Sequence, residues 1–231
     1  MPAKIIVSYD GTANEDDAIA LGRLLARAGA QVALAYVRHA READSESETR
    51  TESGAHELLL RGAELYRDQS VATHVITDRS TPEGLRRLAE QEGANVIVFC
   101  SDSHTARGHV AVGNSAQRLL EGGRTAIAIA PAGLAQIADA RLARVVAIGD
   151  ADGGAARTAE TIAGAFGGSV EPVVSDGTEL LVVDSRPEAA RGETAVSASA
   201  FHLIEGARSS VLVIPRGVVL PFEPSSAAAA A

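Results

Sequence analysis

Short apolar, largely β-branched runs recur along the chain at Lys4–Ser8, Gln31–Val37, Val71–Thr77, Val96–Phe99 and Ala126–Ala130. Between them the apolar positions change to helical spacing. Ala18, Ile19, Leu21, Leu24 and Leu25 form one side of Glu15–Ala28, and Leu58, Leu59, Leu60, Ala63, Leu65 and Tyr66 give Ser53–Arg67 an apolar side. Acidic residues open the first of these helices, where the helix dipole favours them. Thr81-Pro82 predicts the next helix, with Thr as N-cap and Pro at the first helical position, running to about Gln91. Strands apolar throughout, each separated from the next by a helix, predict a parallel sheet covered on both faces.

The stretch from Asn95 to Pro131 organises the rest. It reads as a buried strand, a polar loop, a helix opening near Gly113 and a second strand stopped by Pro131. The same stretch occurs twice. At an offset of 84, Leu180–Pro215 lies over Val96–Pro131 without a gap, with 14 of 36 positions identical, Arg107-Gly108 on Arg191-Gly192 and Ser115-Ala116 on Ser199-Ala200 among them. The chain is therefore a duplicated unit.

Ala132–Arg141 connects the copies, and Arg144–Ile148 restarts the pattern with Gly149-Asp150 where the first copy has Tyr9-Asp10. Asp10 and Asp150 stand 140 apart whereas the later segments stand 84 apart, so the second copy lacks 56 residues between Val174 and Leu180. In the first copy that region holds two helices and a strand. Only Ser175–Glu179 remain to join two apparent strands, and a parallel crossover ordinarily needs a dozen or more residues. The expectation is an antiparallel pairing there, or a Val170–Val174 segment outside the sheet. The domains are expected at 1–133 and 142–217, with a disordered tail at 218–231.

Composition narrows the function. A net charge of −9 without any Lys/Arg block lacks the electrostatic footprint of a nucleic-acid or anionic-membrane binder. No apolar run approaches the ~20 residues that span a bilayer, and Met1–Asp10 turns acidic too early for a signal peptide. A single cysteine, Cys100, excludes an internal disulfide framework and suits a reducing interior, so a cytoplasmic protein is expected.

A strand ending in Asp10, five βα units and a Gly/Ser-rich loop before the last helix resemble the universal stress protein family in its tandem form, the second copy shortened. The resemblance implies an α/β fold with an open, parallel five-stranded sheet of the adenine nucleotide alpha hydrolase-like kind, plus a truncated second copy. ATP-binding members carry Gly-x-x-Gly, nine residues, then Gly-Ser or Gly-Thr. On this motif fall Cys100, Ser103, Gly113 and Asn114, with Ser115 next, so the spacing is kept while two glycines and the Ser/Thr are not. The resemblance implies an ATP site in the first copy. There Asp10 would meet the ribose hydroxyls or adenine edge, Val37 would offer backbone groups to adenine, and Ser101, Ser103 and Ser115 would supply hydroxyls. The Gly113 helix start would supply N–H groups, and Arg107 would offset the charge of Asp102. In the second copy Asp184, Pro187, Ser197 and Ala198 stand at the motif positions, and no nucleotide is expected.

Plainer readings stand beside these. Asp10 also suits a cap for the following helix, and the acidic run Glu42–Glu52 suits a solvated loop. Cys100, His104 and His109 fit no zinc spacing, and no His/Asp partner marks Cys100 as a nucleophile. Without a Walker motif or a catalytic constellation, the sequence reads as a non-catalytic stress-response protein with an adenine-nucleotide site. The alternative is a ligand-free scaffold. In either case the closing strands Ala126–Ala130 and Val211–Ile214 are expected to pair, within one chain as a pseudo-dimer or between chains as a homodimer.

Overall fold

The computed structural model describes residues 1–12, 14–39, 52–66 and 70–223. The first copy runs β1 (Lys4–Ser8), α1 (Glu15–Arg27), β2 (Gln31–His39), α2 (Glu52–Glu64), β3 (Ala72–Asp78), α3 (Thr81–Glu92), β4 (Val96–Cys100), α4 (Asn114–Leu120), β5 (Glu121–Gly123) and β6 (Ala126–Ala130). The second runs β7 (Arg144–Ile148), α5 (Gly154–Ala165), β8 (Ser169–Glu171), β9 (Leu180–Asp184), β10 (Thr194–Ala195), α6 (Ala198–Glu205) and β11 (Ser210–Ile214). Nearly all of the charge-dense segment after His39 lies outside the described residues. Ser80, rather than Thr81, is the N-cap of α3.

Nine strands form one sheet in the order β3-β2-β1-β4-β6-β11-β9-β7-β8. Every neighbouring pair is parallel except β6 with β11, which is antiparallel. The sheet is thus an α/β assembly of two parallel halves facing opposite ways. Its core lies in two layers: α1, α2 and α5 bury Leu25, Leu59 and Ile162 on one face, and α3, α4 and α6 bury Leu85, Leu119 and Ile204 on the other.

The seam obeys the repeat. Ile127, Ala128 and Ile129 pair with Val213, Leu212 and Val211, so Ala128 faces its own copy 84 residues on and a pseudo-two-fold axis passes between them. A smaller exchange surrounds it. Thr194 of β10 pairs with Gly123 of β5, and Val110, the twin of Thr194, donates its N–H to the carbonyl of Ala207, the twin of Gly123, at 3.0 Å. The closing strands therefore pair within the chain, and each already has a neighbour on both sides.

Two expectations are corrected. First, β8 is a sheet strand and pairs parallel with β7, while β9 lies parallel on β7's other side. This works without a helix because β8 has three residues and climbs only about 7–10 Å. The chain turns at Asp176-Gly177 past the Arg144 side chain, and an eight-residue connection reaching up to ~26 Å covers the ~10 Å shift across two strand spacings. Glu179 then holds the start of β7, accepting from the N–H groups of Ala143 (2.7 Å) and Arg144 (3.0 Å).

Second, the tail past Gly217 is packed as far as Glu223. Leu220 N donates to Thr158 Oγ1 on α5 at 3.1 Å, Ala3 N donates to Pro221 O at 2.8 Å, and Leu220 and Phe222 are buried. The segment crosses from the second copy to the first; residues 224–231 lie outside the described residues. Phe222→Ala is expected to destabilise by about 3 kcal/mol and to lower the thermal midpoint by about 6–12 °C. An unchanged midpoint in a thermal melt would show that this crossing contributes nothing.

Candidate functional site

In an open α/β sheet the crevice lies beyond the strands' carboxyl ends, where the strand order reverses. In the first copy that point is between β1 and β4. A cavity of about 280 Å³ opens there, walled by Ser8, Asp10, Thr12 and Glu15 from the β1–α1 side, Cys100–Ser103 from the end of β4, and Gly113–Ala116 at the start of α4. Of the residues singled out from sequence, Asp10, Cys100, Ser101, Ser103, Gly113, Asn114 and Ser115 converge on it. Val37 does not. It pairs with Ile76 of β3, its side chain packs over Gly84 of α3, and it stands two positions beyond Ala35, the register partner of Ser8.

Local bonding decides what each group has left to offer. The Ser101 hydroxyl donates to Ala130 O (2.7 Å) and accepts from Ala111 N (3.2 Å), so it fixes the loop to the end of β6. Its twin Ser185 does the same with Ile214 O (2.7 Å) and Ala195 N (3.0 Å). Gly108 and Gly192, also twins, both take φ of 79°, a left-handed conformation that suits glycine, so the two loops turn alike. Asp10 does not cap α1: its Oδ1 accepts from Thr12 N at 3.0 Å, and the N-cap of α1 is Asn14. Asn14 Nδ2 donates to Asp102 O (3.1 Å) and ties the two walls together. Arg107 folds back over Gly133 and does not line the cavity.

Glu15 carries most of the site's chemistry and reads from sequence only as a dipole-favoured acid. Its side chain returns over the β1–α1 turn, where the Asp10 and Gly11 N–H groups donate to its Oε2, and it is 4% exposed. Burial, then the neighbouring Asp10 carboxyl, push its pKa up from 4.5 to about 9, so it is protonated and neutral at pH 7. The same burial, with the charges of Glu15 and Asp10, pushes the Cys100 thiol up to about 12. Asp17, two residues along α1, is also buried but accepts from Gly133 N (2.8 Å) and Ala135 N (2.7 Å), which pins the connector between the copies.

The second copy has its own cavity of about 330 Å³, between Asp150 after β7 and the start of α6. Asp184 stands where the first copy has Cys100; it is half-buried, accepts from Ala155 N (3.1 Å), and burial raises its pKa. Among the described residues no three His, Cys, Asp or Glu side chains gather as metal ligands, and no helix is long and apolar enough to cross a membrane.

The family model of the universal stress protein family matches residues 1–131, more than half of the chain. The chain belongs to the universal stress protein family. Solved structures agree in fold. A Pseudomonas aeruginosa protein described as functionally unknown superposes with a TM-score of 0.64 at 13% identity, covering 94% of this chain and 93% of that one. A universal stress protein from Archaeoglobus fulgidus gives 0.64 at 13% identity, covering 93% and 98%. A putative universal stress protein of another Pseudomonas aeruginosa strain gives 0.58 at 13%, covering 94% of each chain. No curated protein sequence matches.

Against the universal stress protein motif, this cavity differs at two of the glycine positions. Cys100 and Ser103 put side chains where the motif has glycine, Asp10, Glu15 and Asp102 are on its wall, and among the described residues no Lys, Arg or His lines it.

Two outcomes follow from the burial of this site. Because folding raises the Glu15 pKa, the native state holds its proton more tightly between about pH 4.5 and 9, and stability falls as pH rises through that window. Glu15→Gln, a neutral isostere, is expected to flatten that fall and to melt at a higher temperature than the parent at pH 8.5; a pH series of thermal melts in which the variant tracks the parent would refute this. Native Cys100 is expected to resist iodoacetamide at pH 8 and to react once the chain is unfolded in urea, read by mass spectrometry. Rapid labelling of the folded protein would contradict its burial.

Proposed function

We propose that this universal stress protein is non-catalytic and acts by holding an adenine-containing ligand in the first-copy cleft. The observation that supports this reading most is the convergence of Asp10, Ser103, Asn114 and Ser115 on one cavity at the β1/β4 crevice, where folds of this kind place ligands. Asp10 is exposed on the wall and retains a carboxylate oxygen for ribose hydroxyls or an adenine amino group. Chemistry has little to work with at the thiol, which burial holds protonated. The lone free cysteine supports a place in the reducing cytoplasm.

A scaffold without ligand is the second reading, favoured by one observation: the Ser101 hydroxyl and the Arg107 side chain, both of which the motif would lend to a ligand, are spent on the protein's own backbone and packing. Heat release and mass spectrometry of the purified protein, with a calorimetric titration of adenine compounds, separate the two. The binding reading expects a ligand released or a measurable affinity, and expects Asp10→Ala to weaken it about tenfold or more. Neither a released adenine compound nor any heat of binding would leave the scaffold. An unchanged affinity in Asp10→Ala would remove Asp10 from the site.

A further inference from the structure

Resting on the adenine reading above, we propose that the first-copy cleft selects the uncharged nucleoside over its triphosphate. Three observations carry it. The charged side chains of the wall are both acidic, Asp10 after β1 and Asp102 after β4, and the Glu15 carboxyl of α1 beside them is neutral. The cations that would offset phosphate are turned elsewhere. Arg107 lies over Gly133, and Arg118 of α4 lines a separate hollow with Arg86 and Glu121. Finally, the cavity of about 280 Å³ is at the small end of ligand sites, which run from about 300 to 1,000 Å³.

The route that phosphates would take is closed locally as well. Cys100 and Ser103 each add a side chain at the cavity wall, and Asp102 lines it with them. The Asp10 and Gly11 N–H groups, which would otherwise point toward an anion, already donate to Glu15, so the protein supplies its own carboxyl in the ligand's stead. Apart from the Asn114 amide and the N–H groups that open α4, what remains are acceptors and hydroxyls: Asp10, Ser8, Thr12, Ser103 and Ser115 on the wall, and Thr81, whose hydroxyl also meets His39 Nε2 at 3.0 Å. These suit ribose hydroxyls and an amino group. They do not neutralise a polyanion.

Calorimetric titration of the full chain with adenosine, AMP and ATP in metal-free buffer tests this. Affinity is expected to fall with each added charge, adenosine binding about tenfold or more tighter than ATP. Raising the salt is expected to narrow that gap by screening. Asp102 is exposed and its Oδ1 accepts from His104 N, so Asp102→Asn keeps the loop; it is expected to narrow the gap between adenosine and ATP several-fold. ATP binding as tightly as adenosine, or tighter, overturns the selectivity while the adenine reading stands. Failure of all three to bind overturns both.

Discussion

One antiparallel pairing holds the molecule together. β6 and β11 are the last strands of two parallel half-sheets, and a parallel half-sheet that ends at such a strand leaves a row of unpaired N–H and C=O groups. Setting the two edges against each other satisfies both rows in the middle of the sheet, where the strands are fully buried. The apolar code matches that position. Ala126-Ile-Ala-Ile-Ala and Ser210-Val-Leu-Val-Ile have no alternation because neither face meets water. With Ala128 opposite Leu212, both copies present the same register to the axis, and the loop-to-strand exchanges at β5–β10 and Val110–Ala207 follow from it.

The site inherits its geometry from that frame and its character from a few side chains. Ser101 and Ser185 clamp each copy's loop to the strand end beside the seam, so the cleft walls are placed by the closing strands themselves. The acids then occupy the backbone donors of each cleft. In the first copy a buried Glu15 answers the backbone donors of the β1–α1 turn; in the second, Asp184 answers the N–H of Ala155 at the start of α5. From different positions, each copy turns a carboxyl onto the donors that follow its first strand. That shared substitution of an internal carboxyl for an external anion is the chief physical difference from a phosphate-binding loop.

Much of this was legible in the sequence, because the fold is written in periodicity and repetition. Apolar strands such as Val96–Phe99 and helices with one apolar side differ in period, and the offset of 84 located the second copy and its missing piece. What escaped depended on distance in space. Nothing local distinguishes Glu15 from Asp16 as a cleft residue, nor marks Asp17 as the partner of Gly133 and Ala135, some 116 residues away. Val218–Glu223 resembles a tail because its apolar residues are interrupted by Pro221 and have no period; the segment is held by Thr158 of α5, by Ala3 before β1 and by the close approach of Glu223 to Gly29. The rule that parallel strands need long crossovers misled at β8, since it assumes a strand of ordinary length.

The deletion in the second copy shows which parts of the fold are dispensable. In the first half β3 is outermost, so the missing α2-β3-α3 equivalent removes the strand farthest from the seam and leaves the β7/β9 crevice intact. Its cost is visible on α6. Leu119 of α4, where α3 packs alongside, is 5% exposed, whereas its twin Leu203 on α6 is 45% exposed and opens onto the second cavity. The new edge is kept short: β8 has three residues and is followed at once by Pro172, which cannot extend a ladder. A copy cut from its outer side can therefore lose a strand and two helices while the seam, the clamp serine and the crevice stay in place, because those three share the strands nearest the axis.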